Sequence, residues 1–119
     1  MKINLTLPMP PSMNQAFPTG KQGRRYKSPE YKTWIEHARI ALGGQDVRYF
    51  EKDVSYHYDI YFRNGQSGDC ENRLKILTDF LVSQGILRDD KHTILKKGSF
   101  AFAGYDPINP HIDITVEGT

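Results

Sequence analysis

A single cysteine, Cys70, stands in 119 residues, so no internal disulfide can form, and CxxC is absent. A reducing, cytoplasmic setting is the expectation. No apolar run approaches the length of a bilayer-spanning helix, and no signal peptide is recognisable. The four histidines, His37, His57, His92 and His111, have neither HxH nor HExxH spacing, which argues against zinc, and no phosphate-cradling GxxxxGK[ST] occurs. Charge is nearly balanced at +2, so composition alone permits nucleic-acid binding without requiring it. What remains is 38% hydrophobic and 12% aromatic content, enough for the core of one compact domain spanning residues 1–119.

Periodicity supplies the elements. Ile3, Leu5 and Leu7 alternate with polar residues as a strand with one buried face, and Pro8, Pro10 and Pro11 stop it. PMPPSMN reads as an extended or turn segment. Ser28-Pro29-Glu30 is a helix start, and Tyr31, Trp34, Ile35, Ala38 and Leu42 recur behind it at helical spacing up to Gly43-Gly44. Val54 to Phe62 returns to period two. A second helix begins near Asp69 to Glu71, buries Leu74, Leu77 and Leu81 with Phe80 and Val82, and closes at Gly85. Gly98 and the aromatics of Ile94 to Phe102 favour a third strand, and Ile112, Ile114 and Val116 mark a fourth. The expected fold is α/β: a small single domain in the order β-α-β-α-β-β, a mixed four-stranded sheet with the helices packed on one face.

Acids bracket the second helix. Asp69 and Glu71 stand at its start and Asp89-Asp90 beyond its end, and carboxylates gathered at one place call for a cation. Glu71 and Lys75, four residues apart, share a helix face, and Asp69 joins them only as a cap. Whether Asp89 and Asp90 return to the same place is left open by the spacing. If they do, hard oxygen donors suit Mg²⁺ or Mn²⁺, which would activate a water and shield phosphate charge, while Lys75 stabilises developing negative charge or orients the water. The plain alternatives are an N-cap, a surface ion pair and a polar turn. Cys70 is a packing residue rather than a nucleophile, since two acids flank it and no histidine is positioned beside it. Lys21, Arg24, Arg25 and Lys27 form an acid-free run with Tyr26, which suits a phosphate backbone and equally describes a solvated loop.

The run DCENRLKILTDFLVSQGILRDDK resembles the signature of the RusA family of Holliday junction resolvases: acid, spacer, acid and Asn, a helix with a Lys, a glycine turn and an Asp pair. Asp69, Glu71, Asn72, Lys75, Asp79, Gly85, Asp89 and Asp90 match that spacing, and LPMPPSMN is similar to the family's proline-rich opening. The resemblance implies a homodimeric endonuclease that resolves four-way DNA junctions by paired nicks in recombination and repair, leaving a 5′-phosphate and a 3′-hydroxyl. It implies that Asp69, Glu71 and Asp90 bind Mg²⁺, that Lys75 assists at the scissile phosphate, and that Asn72 and Asp89 support them. Lys21, Arg24, Arg25 and Lys27, with Arg63, Lys96 and Lys97, would then track the junction's phosphates. The family's second acid is usually Asp; Glu71 carries its carboxylate about 1.5 Å further out, one C–C bond. A non-cleaving branched-DNA binder of the same fold, and a structural or regulatory protein without DNA activity, are the rival readings.

Overall fold

The computed structural model describes residues 1–20, 23–63 and 70–119. Among the described residues seven elements follow one another: β1 (Lys2–Pro8), α1 (Met13–Ala16), α2 (Pro29–Leu42), β2 (Val54–Phe62), α3 (Glu71–Ser83), β3 (Leu95–Tyr105) and β4 (His111–Glu117). The sheet runs β1-β4-β2-β3, with β4 antiparallel to both its neighbours and β3 parallel to β2, so it is mixed and four-stranded as expected. The element added to the expected order is α1. Its single turn forms in the proline-rich segment because Ser12 and Gln15 make a reciprocal capping box, which offsets the turn's small size.

Alternation decides the two faces of the sheet. Ile3, Leu5, Leu7, Tyr58, Ile60, Phe62, Ile112, Ile114 and Val116 are buried beneath the helices. The opposite face carries polar pairs, among them Thr6 with Asp113 at 2.9 Å and His57 with Asp59 at 2.9 Å. Helix α2 starts where the sequence places it: Ser28 Oγ accepts from the Tyr31 amide at 3.1 Å, with Pro29 in the first turn. Its indole holds two neighbours. Trp34 Nε1 donates to the Pro8 carbonyl at 2.9 Å, and the Trp34 ring meets Phe80 of α3 edge-on at 5.1 Å. The helices and the end of β1 are thereby locked as one layer.

The buried stripe of α3 is Arg73, Ile76, Leu77, Phe80 and Leu81, with Thr78 beside it, whereas Leu74 and Val82 are only half-buried. The helix is therefore rotated relative to the leucine pattern. Arg73 accounts for the rotation: its Nη1 donates to the Pro10 carbonyl at 2.7 Å and its guanidinium lies 5.4 Å from the centre of the Phe62 ring. Gly85 ends the helix in the left-handed region at φ 74°, as its position after the last turn requires. Among the described residues no helix is long and apolar enough to cross a membrane.

Candidate active site

The return of the chain after α3 is fixed by backbone pairing. Phe50 forms a parallel bridge with Leu87; the Phe50 amide donates to Ile86 at 2.8 Å, and the Arg88 amide donates back to Phe50 at 3.2 Å. Arg88 adds an ion pair to Glu51 at 2.9 Å. This clamp delivers Asp89 and Asp90 to the exposed flank of α3. Lys75 meets them there: its Nζ donates to Asp90 Oδ2 at 2.8 Å and lies 2.9 Å from Asp79 Oδ1, one turn further along the helix. Asp89 Oδ1 accepts the Asp90 amide at 2.7 Å, which holds the acidic turn closed.

Electrostatics follow from these contacts. The Asp90 carboxyl is held below its usual range by the hydrogen bond from Lys75, with Asp89 and further attraction to Lys75 contributing. The Lys75 ammonium is stabilised in turn by Asp90 and then by Asp79, which push its pKa above the ordinary lysine value. Lys75 is thus a fixed positive charge at neutral pH and not a proton acceptor.

The structure therefore gathers Lys75, Asp89 and Asp90, a meeting the sequence left open, at one place. Glu71 is exposed one turn before Lys75 on the same flank, and Asn72 beside it is half-buried. Asp69 lies outside the described residues, and the N-cap position of α3 falls on Cys70, whose side chain makes no cap bond. Among the described residues no group of three His, Cys, Asp or Glu side chains is close enough to hold a metal ion. Asp79 is the contributor that spacing alone assigned no role. Its signal was the i,i+4 relation to Lys75.

The basic residues divide. Lys21 lies outside the described residues. Arg24, Arg25 and Lys27 are exposed on a small closed loop, where Thr19 bridges Arg25, the Gly20 amide donates to Arg24 at 2.6 Å and Arg25 Nε donates to the Phe17 carbonyl at 2.8 Å. Lys27 reaches toward the acidic cluster, with its Nζ 5.7 Å from the centre of the Tyr31 ring. The Tyr31 phenol is raised by burial and by the nearby Asp79, and Lys27, Tyr31 and Asp79 line one cavity. Arg63 lines a different groove, of 570 Å³, with Arg73, His37 and the proline-rich segment. Lys97 lies in a cleft on the helix-free face with His57, Ser99 and Thr115, and Lys96 is exposed beside it. Of the loop cations Lys27 thus shares a cavity with Asp79 of the acid–lysine cluster, and Lys97 belongs to the other side of the sheet.

A mixed α/β sheet whose crossover helix joins a fixed ammonium to carboxylates from two separate segments defines a candidate hydrolytic centre for a phosphate ester. The family described as Endodeoxyribonuclease RusA matches residues 8–117, and the chain belongs to that family. This places it among the nucleases that cleave DNA. No curated protein matches the chain.

Proposed function

We propose that the protein is a homodimeric, Mg²⁺-dependent resolvase that cuts four-way DNA junctions by paired symmetric nicks in recombination and repair, working in the reducing cytoplasm. The observation that carries this reading is the Lys75–Asp90 contact at 2.8 Å, which unites the two halves of the motif across the Gly85 turn. Glu71, exposed in the first turn of α3, and Asp90, exposed on the turn after it, offer carboxylate oxygens, a donor chemistry that fits a hard divalent cation. Asp69, Glu71 and Asp90 are the residues that would hold Mg²⁺, or Mn²⁺ in its place. Bound there, the ion supplies a more acidic water and neutralises charge on the phosphate.

The chain's own groups do the rest. Lys75 stays protonated and places positive charge beside the phosphate, where negative charge grows as the P–O bond breaks. Asp79 and Asp90 restrain its ammonium, which shortens the search for a productive geometry. Asp89 and Asn72 hold the acidic turn and the start of α3. Arg24, Arg25 and Lys27, with Lys21, bind backbone phosphates along the approach and offset the repulsion of the acids for DNA. Arg63, Lys96 and Lys97 extend that contact to other arms of the junction.

The test is cleavage of a labelled four-way junction beside a linear duplex, in EDTA, Mg²⁺ and Mn²⁺. Symmetric, metal-dependent nicks in the junction are expected, lowered on the order of 100-fold or more in Asp69→Asn, Asp90→Asn and Lys75→Ala. Tight junction binding without product in either metal would make the protein a branched-DNA binder instead.

A further inference from the structure

A hydrogen-bonded relay crosses the helix-free face of the sheet, on the side away from the acid–lysine cluster. His57 of β2 stands in register with Ser99 of β3, and Asp59, two residues further along β2, points to the same face. His57 Nδ1 lies 2.6 Å from Ser99 Oγ, and His57 Nε2 lies 2.9 Å from Asp59 Oδ1. The carboxylate decides the tautomer. Because a carboxylate can only accept, Nε2 carries the proton shared with Asp59 and Nδ1 is left as an acceptor, so the short bond to Ser99 runs from hydroxyl to ring. A hydroxyl, a base that accepts from it and an acid that orients the base are thus joined in one line, the arrangement that activates a serine nucleophile. The relay is open to small molecules. The His57 and Asp59 side chains are 38% and 43% exposed, and His57 and Ser99 line a cavity of 170 Å³ with Thr115 and Lys97. Lys97, two residues before Ser99 on the same strand, brings an ammonium to that cavity.

We propose that Ser99 and His57, with Asp59 positioning the imidazole, form a second catalytic site that hydrolyses small, activated carboxylic esters through an acyl-serine intermediate. Ser99 Oγ attacks the carbonyl carbon, and its proton passes to His57 Nδ1. Negative charge then collects on the former carbonyl oxygen, and the Lys97 ammonium supplies the opposite charge in the same cavity. The C–O bond to the leaving alcohol breaks, the proton on Nδ1 follows the alkoxide, and the acyl group stays on Ser99. Water repeats the sequence. It gives a proton to Nδ1 and its oxygen to the acyl carbon, the bond to Ser99 Oγ breaks, and Nδ1 returns the proton to that oxygen. One ester and one water become one alcohol and one carboxylic acid, with no change of oxidation state. The two ring nitrogens exchange the roles they hold in most serine hydrolases, which the chemistry allows because either neutral tautomer offers one acceptor. A cavity of this size admits a short acyl group and excludes a long one.

The test uses p-nitrophenyl acetate as substrate and a fluorophosphonate as probe, in EDTA and without DNA, on wild type, His57→Gln and Asp59→Asn. Wild type is expected to release p-nitrophenol in a burst stoichiometric with the chain, followed by slower turnover. Peptide mass mapping should place both the acetyl group and the phosphonyl label on Ser99. His57→Gln keeps a polar side chain and removes the base, so labelling of Ser99 should slow on the order of 100-fold. Asp59→Asn should lower kcat and leave KM in place, because Asp59 acts on the base and does not touch the ester. The absence of burst and label, an acetyl or phosphonyl group found on another residue, or labelling of Ser99 indifferent to His57→Gln each overturns the inference. Should His57→Gln not fold, wild type decides alone: a burst with label on Ser99 sustains the site, and label elsewhere or none sinks it. None of these measurements reads DNA cleavage. The second site and the resolvase reading therefore stand or fall separately.

Discussion

At the scale of single residues, Lys75 concentrates the chemistry. Its ammonium lies 2.8 Å from Asp90 and 2.9 Å from Asp79, so two carboxylates stabilise one charge. The sign of the pH dependence follows. Asp90 has a folded pKa below its ordinary 3.8, so its favourable contribution is complete above that value and disappears as pH falls through the lower folded one. Lys75 is raised above 10.5, so its contribution is complete below that value and is lost as pH rises through the higher folded one. Between the two the pair is constant, and these groups give the metal-free protein no stability change across neutral pH. Nuclear magnetic resonance titration of the Lys75 side chain checks the cause. In metal-free wild type it should titrate above an ordinary lysine, and in Asp90→Asn it should move back toward the ordinary value while Asp79 preserves part of the rise. An unaltered Lys75 titration in Asp90→Asn would contradict the assigned cause. With Lys75 protonated throughout, any base-side rise in cleavage must come from another group.

At the scale of the element, α3 is placed by a buried arginine. Arg73 occupies a core position of the helix and ties it to the proline-rich segment through the Pro10 carbonyl. Arg73→Leu keeps the apolar stem and removes a charge-assisted hydrogen bond, so unfolding in urea should show a loss of about 1.5–3 kcal/mol. A change within about 0.5 kcal/mol, the range typical of surface positions, would mean that the bond does not hold the helix. Arg73 also marks where the sequence stops being legible. β1, β2 and β4 could be read from alternation, β3 from Gly98 and its aromatics where the periodicity was ambiguous, and α2 from its Ser-Pro-Glu start, because these signals are local. The face of α3 could not, because position 73 completes the stripe 73-76-77-80-81 with a residue that composition assigns to solvent. The meeting of Lys75 and Asp90 was undetermined for a related reason: it depends on the Phe50–Leu87 bridge between segments far apart in the chain. The turn α1 was hidden among prolines, although Ser12 and Gln15 carry its capping box in plain view. Glycines were informative where the backbone demanded them. Gly85 takes a left-handed φ, and Gly98 lies under the Tyr56 ring, where any Cβ would collide.

At the scale of the whole molecule, a net charge of +2 is too small to draw DNA by itself, so placement has to substitute for quantity. Asp79, Asp89 and Asp90 lie together around Lys75 on α3 and the turn after it, and Lys27, from the loop that also carries Arg24 and Arg25, shares a cavity with Tyr31 and Asp79. In the proposed reading, a phosphate backbone at the cluster lies within reach of that loop. Each cation that neutralises a phosphate releases condensed counterions, which steepens the fall of affinity with salt by about 0.9 in the log–log slope. Arg24 and Lys27 are the cleaner pair to remove, because Arg25 also holds the loop through its bond to Phe17. Binding of a fluorescent four-way junction in EDTA, measured across potassium chloride concentrations, should therefore show a slope shallower by about 1.8 in Arg24→Ala/Lys27→Ala than in wild type, two phosphate contacts being lost. The same variant should weaken binding to junctions of different base sequence alike, because contacts to phosphate carry no sequence information. An unchanged slope would detach the loop from DNA and leave Arg63, Lys96 and Lys97 as the cations to test. A loss confined to the junction would instead make the loop a reader of the branch point.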